Sequence, residues 1–317
     1  MSMQILVPLD GSRFSEQAVA YASGIARRSR GTIHLVRVNV EPVMTAPELV
    51  FDQLKTQLWE TAQDYVNEQA EQAALRFGVS TQPVLLGGSV VQALSTYVTS
   101  AGIDLVVMTT HGRSGLSRMI MGSVADALVH SLAVPIFMVR PTRVDVQPDE
   151  EPISGPNIMI PLDGSPQAEQ ILEPAVELGW HLGARYTLVQ VVVPALSETY
   201  ATAVTSQILN EEFEHERDQA LAYLESVASR MRAVGLHVDT AVISHGQTAT
   251  GILREAGLHE ANLIAMTTHG RSGWKRIALG SVASTVLHNT SVPLMLLRSS
   301  EPAAWETEAP SAASTSE

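Results

Sequence analysis

An eight-residue segment, Met108-Thr-Thr-His-Gly-Arg-Ser-Gly115, recurs unchanged as Met266-Thr-Thr-His-Gly-Arg-Ser-Gly273, and a Gly-Ser pair follows each copy, Gly122-Ser123 and Gly280-Ser281. An apolar run precedes each segment, so the order reads as strand end, glycine-bearing loop and helix start. Backbone N–H groups converge at such a junction and favour an anion such as phosphate. A second repeated polar feature is the aspartate of Pro-Leu-Asp-Gly-Ser, Asp10 in the first half and Asp163 in the second. Taken alone, such an aspartate forms a turn and caps the next helix. On the same sheet edge as a phosphate loop, it becomes a ligand contact.

Other polar residues offer less chemistry. His111 and His269 have no acid or nucleophile at a defined spacing, so they read as loop-stabilising residues rather than general bases. No Gly-x4-Gly-Lys-Ser/Thr segment occurs, hence no lysine of that kind to act on terminal phosphates. Arg113, Arg118, Arg271, Lys275 and Arg276 read as solvated loop charges beside the anion position. His130 and His288 hold equivalent places near helix C-termini, where a protonated imidazole favours the dipole. No His/Asp/Glu cluster has metal-ligand spacing, and the methionines at strand ends read as core filler.

The elements that must position these residues recur in order. Ile5-Leu-Val-Pro-Leu-Asp10-Gly-Ser12 matches Ile158-Met-Ile-Pro-Leu-Asp163-Gly-Ser165, and the later loops match at a spacing about five residues longer. The stretch after Val193 is the expected place for the extra residues. Such internal duplication is the strongest organisational signal in the chain. Each half begins with an apolar strand and a helix, with Ala18, Ala22, Ile25 and Ala26, or Ile171, Ala175, Leu178 and Leu182, on its inner face. A second strand (33–38; 186–193) and a long helix follow. A third strand (80–86; 238–243) leads through Gly88 or Gly246 into another helix. The fourth strand (105–108; 263–266) is continuously apolar, as a strand covered on both faces should be. After the repeated loop come a helix from Ser123 or Ser281 and a last strand that opens on Pro135 or Pro293.

Alternating strands and helices predict an α/β fold: two tandem, doubly wound, mainly parallel five-stranded sheets. Ligands of such sheets sit beyond the strand C-terminal ends, where Asp10, Val38 and the loop after Met108 all fall. The predicted division is 1–141 and 156–298 for the domains, 142–155 for an acidic, proline-rich linker and 299–317 for a disordered tail. A chain of 317 residues suits two such units. Its net charge of −13 argues against nucleic acid or an anionic membrane as partner. The absence of cysteine excludes disulfides, thiolate metal sites and a cysteine nucleophile. No apolar run reaches the roughly 18 residues of a membrane span, and no signal-peptide pattern opens the chain. The expected address is cytoplasmic.

Pro-Leu-Asp-Gly-Ser near each start, His-Gly-Arg-Ser-Gly followed by Gly-Ser, and the closing Val-Pro strand, found twice in the same order, resemble the universal stress protein family. The resemblance covers nearly all of residues 3–140 and 156–298, and implies a tandem-domain member with the adenine-nucleotide alpha hydrolase-like fold and a pseudo-two-fold pairing of its halves. The ATP-binding branch of that family carries Gly-x-x-Gly-x9-Gly-Ser/Thr. The later elements of the pattern stand here as Gly112, Gly122 and Ser123, and as Gly270, Gly280 and Ser281, while Thr109 and Thr267 replace its first glycine. By resemblance, Asp10 and Asp163 meet the ribose, and Val38 and Val191 meet adenine through their backbone. The glycines and serines hold phosphates, flanked by Met108, Thr109 and Val124, or Met266, Thr267 and Val282. Either the threonine position has ordinary backbone angles, or it narrows the ribose–phosphate path, since a β-branched residue at positive φ is strained.

The resemblance therefore implies a stress-response protein that binds ATP or a related adenine nucleotide, with magnesium as its accompanying ion, and is non-catalytic or a very slow ATPase. Two other readings stay open: a nucleotide-free scaffold, which Thr109 and Thr267 favour, and an ATP-hydrolysing enzyme or nucleotidyl transferase, which the missing His-x-Gly-His pattern and lysine disfavour. The resemblance also implies pairing of the last strands within the chain, with a further homodimer as the next level of assembly. An exposed apolar edge is a liability that such pairing covers.

Overall fold

The structure is a computed structural model that describes residues 2–40, 48–110, 121–140, 155–194, 203–270 and 279–299. The expected linker and tail lie outside these residues except for Gly155 and Ser299, as do His111, Gly112, Arg113, Arg118, Arg271, Lys275 and Arg276.

In the first half the elements run β1 (Gln4–Pro8), α1 (Arg13–Ser29), β2 (Thr32–Asn39), α2 (Glu48–Phe77), β3 (Ser80–Gly87), α3 (Val90–Ser100), β4 (Leu105–Thr109), α4 (Ser123–Ser131) and β5 (Ile136–Val139). The second half runs β6 (Asn157–Pro161), α5 (Pro166–Glu169), α6 (Leu172–Leu182), β7 (Arg185–Val192), α7 (Ala203–Ala233), β8 (Val238–Ser244), α8 (Thr248–Leu258), β9 (Leu263–Thr267), α9 (Ser281–Asn289) and β10 (Leu294–Leu297). Within each half every strand pair is parallel. The two five-stranded sheets are continuous: β5 and β10 pair antiparallel, Phe137 opposite Met295, giving one ten-stranded sheet in the order β3-β2-β1-β4-β5-β10-β9-β6-β7-β8.

Alternation along each strand sends side chains to two faces. Phe137 and Val139 of β5 join Ile5 and Val7 in a core shared with α1, α2, α6 and α7. Ile136 and Met138 join Leu6 in a second core shared with α3, α4, α8 and α9. Both layers run across the β5–β10 seam, so neither half has a core to itself. Each fully buried aliphatic side chain contributes about 1.5–3 kcal/mol.

The duplication has two local departures. The helix expected after Asp163 is broken into α5 and α6, whereas α1 runs unbroken for 17 residues. Pro174 explains the break: it has no N–H for the Gln170 carbonyl, and its ring clashes with that carbonyl in a continuous helix. Tyr21 holds the matching place in α1. Secondly, the spacing varies by one residue beyond the long helices. Val38 and Val191 are 153 apart, and Val66 of α2 and Leu224 of α7 are already 158 apart, so all five additional residues lie between β7 and the matched part of α7, as expected. Leu86 and Ile243 are 157 apart and Val90 and Thr248 158, so one residue is dropped before β8 and regained between β8 and α8.

At the seam the two halves stay equivalent, and two arginines cross over. Arg140, just after β5, donates from Nη1 to the carbonyl of Thr290 at the end of α9 (3.1 Å). Arg298, just after β10, donates to the carbonyl of His130 in the last turn of α4 (3.1 Å). Helix C-termini leave carbonyls without intrahelical partners, and a cation there also complements the dipole.

Candidate functional site

Asp163 and Asp10 are fixed first, by their own turns. Asp163 Oδ1 accepts from the Ser165 N–H (3.0 Å) and hydroxyl (2.6 Å), and Asp10 Oδ1 does the same with Ser12 (2.9 and 2.6 Å). Gly164 and Gly11 follow at φ of 81° and 83°, which a side-chain-bearing residue rarely adopts. Each serine then caps a helix: Ser165 Oγ accepts from Ala168 N and Ser12 Oγ from Ser15 N, both at 3.2 Å. One oxygen of each carboxylate therefore builds the turn.

In the second half a crevice of about 660 Å3 opens beyond the strand ends. Its lining includes Asp163, Val191, Met266, Thr267, Gly270, Gly280, Ser281 and Val282. Val189 and Ile252 form an apolar end near Val191, and Thr248, Thr268, Ser284 and Thr285 add hydroxyls that the repeat had not singled out. The volume lies within the usual range for small-molecule sites, roughly 300–1,000 Å3.

Two glycines shape the wall. A Cβ on Gly270 would collide with the Asp163 carboxylate, and one on Gly280 would lie 2.7 Å from the Thr268 carbonyl oxygen. At Gly280 the obstacle is backbone, so a side chain there forces the loop to shift; at Gly270 a side chain would displace the Asp163 carboxylate. The Gly280 N–H points inward, to Thr268 O (3.0 Å), and Gly122 N–H likewise donates to Thr110 O (2.9 Å). Neither glycine therefore offers its own N–H to a ligand, and Gly280 contributes close approach. The outward donors belong to the residues after them: α9 and α4 carry no side-chain cap, and their first internal bonds are Ser284 N to Gly280 O and Asp126 N to Gly122 O. That leaves Ser281, Val282 and Ala283, or Ser123, Val124 and Ala125, as N–H groups with no intrahelical acceptor.

The threonines are at ease. Among the described residues the only non-glycine residues at positive φ are Arg30 and Glu260, so Thr109 and Thr267 keep ordinary backbone angles. Thr267 Oγ1 donates to the His269 carbonyl (2.9 Å), and His269 Nδ1 meets Thr268 Oγ1 (3.2 Å), so this histidine belongs to the loop's own framework. His130 and His288 each place Nδ1 2.6 Å from the carbonyl four residues earlier. Met108 and Met266 are buried in the core.

The first half places Asp10, Val38, Met108, Thr109, Gly122, Ser123 and Val124 on the matching elements. Gly112 is outside the described residues. Beside each aspartate lies a pair that sequence reading missed. Tyr65 of α2 donates to Glu16 Oε1 (2.9 Å), and Tyr223 of α7 donates to Glu169 Oε1 (3.0 Å). Burial first, then the neighbouring glutamate, holds both phenols far above the usual tyrosine range. The signal was available: both members recur at the repeat spacings. Their cations differ, for Arg37 lies over the Tyr65 ring (5.0 Å), whereas Arg230 bonds Glu169 Oε2 directly (2.6 Å).

Among the described residues no group of three or more His, Asp or Glu gathers as a metal site would, and no helix is long and apolar enough to cross a membrane. Comparison with known proteins gives a consistent result. The pattern of the Universal stress protein family matches residues 1–140 and again residues 156–298. A universal stress protein of Mycolicibacterium smegmatis is 25% identical over 304 residues, covering 93% of this chain and 96% of that one. One from Mycobacterium tuberculosis is 26% identical over 317 residues, covering 94% and 95%. The crystal structure of a universal stress protein from Archaeoglobus fulgidus superposes with a TM-score of 0.66 at 19% identity, covering 94% of this chain and 97% of that one, a likeness of fold.

Proposed function

Because the chain belongs to the universal stress protein family, with one match in each half, we propose that it binds ATP or a related adenine nucleotide in the crevices at its strand C-terminal ends, as a non-catalytic sensor or a very slow ATPase. The observation that carries this reading is the gathering of Asp163, Val191, Gly270, Gly280 and Ser281 around one crevice of about 660 Å3. In it the N–H groups of Ser281, Val282 and Ala283 hold phosphate at the positive end of α9. The second oxygen of Asp163 serves the ribose, and the apolar end at Val191 and Ile252 takes the base. Asp10, Val38, Ser123, Val124 and Ala125 serve the same roles in the first half. Magnesium enters with the triphosphate rather than through a ligand set of the protein. Binding without fast turnover follows from the groups present: Asp163 is engaged in its turn and His269 in its loop.

This reading keeps 142–155 as linker, 299–317 as tail, a cytoplasmic address and further self-association as parts of the proposal. Native mass spectrometry of freshly purified protein reads ligand mass and subunit number together. ATP binds at micromolar concentration, and the double variant Gly122→Val/Gly280→Val loses it; unchanged binding in that variant rejects the cradle. The inward N–H of Gly280 favours one competitor, a scaffold that recognises proteins and no nucleotide. A protein that purifies without nucleotide and ignores millimolar ATP decides for the scaffold.

A further inference from the structure

The two seam arginines belong to the crevices as well as to the interface. α9 is nine residues long, about 13 Å. Its first turn lines the second crevice, and the carbonyl of its C-cap residue, the buried Thr290, accepts from Arg140 of the first half. α4 is met in a similar way by Arg298 of the second half, at the carbonyl of His130 in its last turn. Each arginine is also tied back to the crevice of its own half. Val139 precedes Arg140, and its carbonyl accepts the Thr110 N–H (3.0 Å), while Thr110 O accepts the N-cap Gly122 N–H (2.9 Å). Leu297 precedes Arg298, and its carbonyl accepts the Thr268 N–H (2.9 Å), while Thr268 O accepts the Gly280 N–H (3.0 Å). The path from one crevice floor through β5, Arg140 and α9 to the other crevice, and back through β10, Arg298 and α4, closes on itself.

We propose that Arg140 and Arg298 are positioning residues, each ordering the phosphate-binding helix of the opposite half and so coupling the two crevices. The proposal rests on the nucleotide reading for its ligand and on the hydrogen bonds above for its wiring. An anion at the start of a helix and a guanidinium at its end stabilise the same helix. An arginine in place leaves less of α9 or α4 to be ordered when nucleotide binds, which raises affinity. By linkage, nucleotide in one crevice then favours nucleotide in the other to the same degree.

Hydrogen exchange read by mass spectrometry on the full chain tests the crossing, with and without ATP and magnesium. In Arg140→Met, exchange rises in α9 far more than in α4, and the ATP needed to protect residues 281–285 rises about two- to fivefold. In Arg298→Met the roles reverse, with α4 loosened and protection of residues 123–127 shifted. Arg140→Lys and Arg298→Lys, which keep a donor and a charge, recover most of each effect. A substitution that loosens only the helix of its own half, or neither helix, overturns the proposal. Absence of any ATP-dependent protection in the unsubstituted chain sinks the nucleotide reading instead, and the crossed pattern without ATP still decides the role of the arginines.

Discussion

The two halves use the same backbone plan at their strand ends with different tolerances. At the second, a Cβ added to Gly280 would meet the Thr268 carbonyl at 2.7 Å, while at the first the same atom on Gly122 would lie 3.5 Å from Thr110 O, an ordinary contact. Behind the strands the contrast reverses. The first half buries His34, bonded at Nδ1 to Tyr97 (2.8 Å) and at Nε2 to Gln4 (2.9 Å). The second half puts Thr187 there, donating to Asn157 (3.0 Å), which in turn donates to the His259 carbonyl (2.7 Å). A duplicated fold preserves where N–H groups point and lets the supporting side chains diverge.

The sharpest break in this comparison comes from the helix-capping glycines. Gly280→Ala forces a carbonyl aside and costs about 1–3 kcal/mol, whereas Gly122→Ala costs less than about 0.5 kcal/mol. Urea unfolding of both variants reads the difference, and equal losses would show that the second crevice relaxes freely. The next effect belongs to the first half alone. His34→Leu leaves the Tyr97 hydroxyl and the Gln4 amide unmatched, at about 1–2 kcal/mol. Burial also lowers the His34 pKa. As pH falls below about 6.5 the unfolded chain takes up that proton first, so stability is complete above this value and declines towards the folded-state pKa. The urea midpoint of His34→Leu should therefore drop less between pH 7 and pH 5 than that of the unsubstituted chain; an identical drop removes His34 from the acid response. Smallest is the tyrosine pair. Tyr65→Phe should cost about 1 kcal/mol and Tyr223→Phe less, because Glu169 keeps Arg230. Thermal unfolding with the reverse order would contradict that account.

Much of this was legible because the repeat states each element twice. The succession of strands and helices, the aspartate turns and the helix starts at Ser123 and Ser281 follow from periodicity and the repeat. The break at Gln170 was written in Pro174, but the matching Tyr21 and the apolar face of Ile171, Ala175, Leu178 and Leu182 masked it. The inserted residue before α8 became visible only through strand register, which pairs Val191 with Ile243. What no pattern carries is direction. That the Gly280 N–H turns inward depends on how the loop between Thr268 and Gly280 closes, and that Asp163 lies against Gly270 and Arg140 reaches the end of α9 depends on contacts between segments far apart in the chain.

The antiparallel seam has a consequence during synthesis. β5 is complete at Val139, but its neighbour β10 ends only at Leu297. At about 5–20 residues per second, the ribosome takes roughly 8–30 s to deliver the covering strand. For that interval the nascent chain presents an unpaired apolar edge, Ile136 to Val139, which a neighbouring nascent chain on the same message could cover instead. The order of the two halves along the gene thus gives this fold a timed window for mispairing that ends only when its last strand emerges.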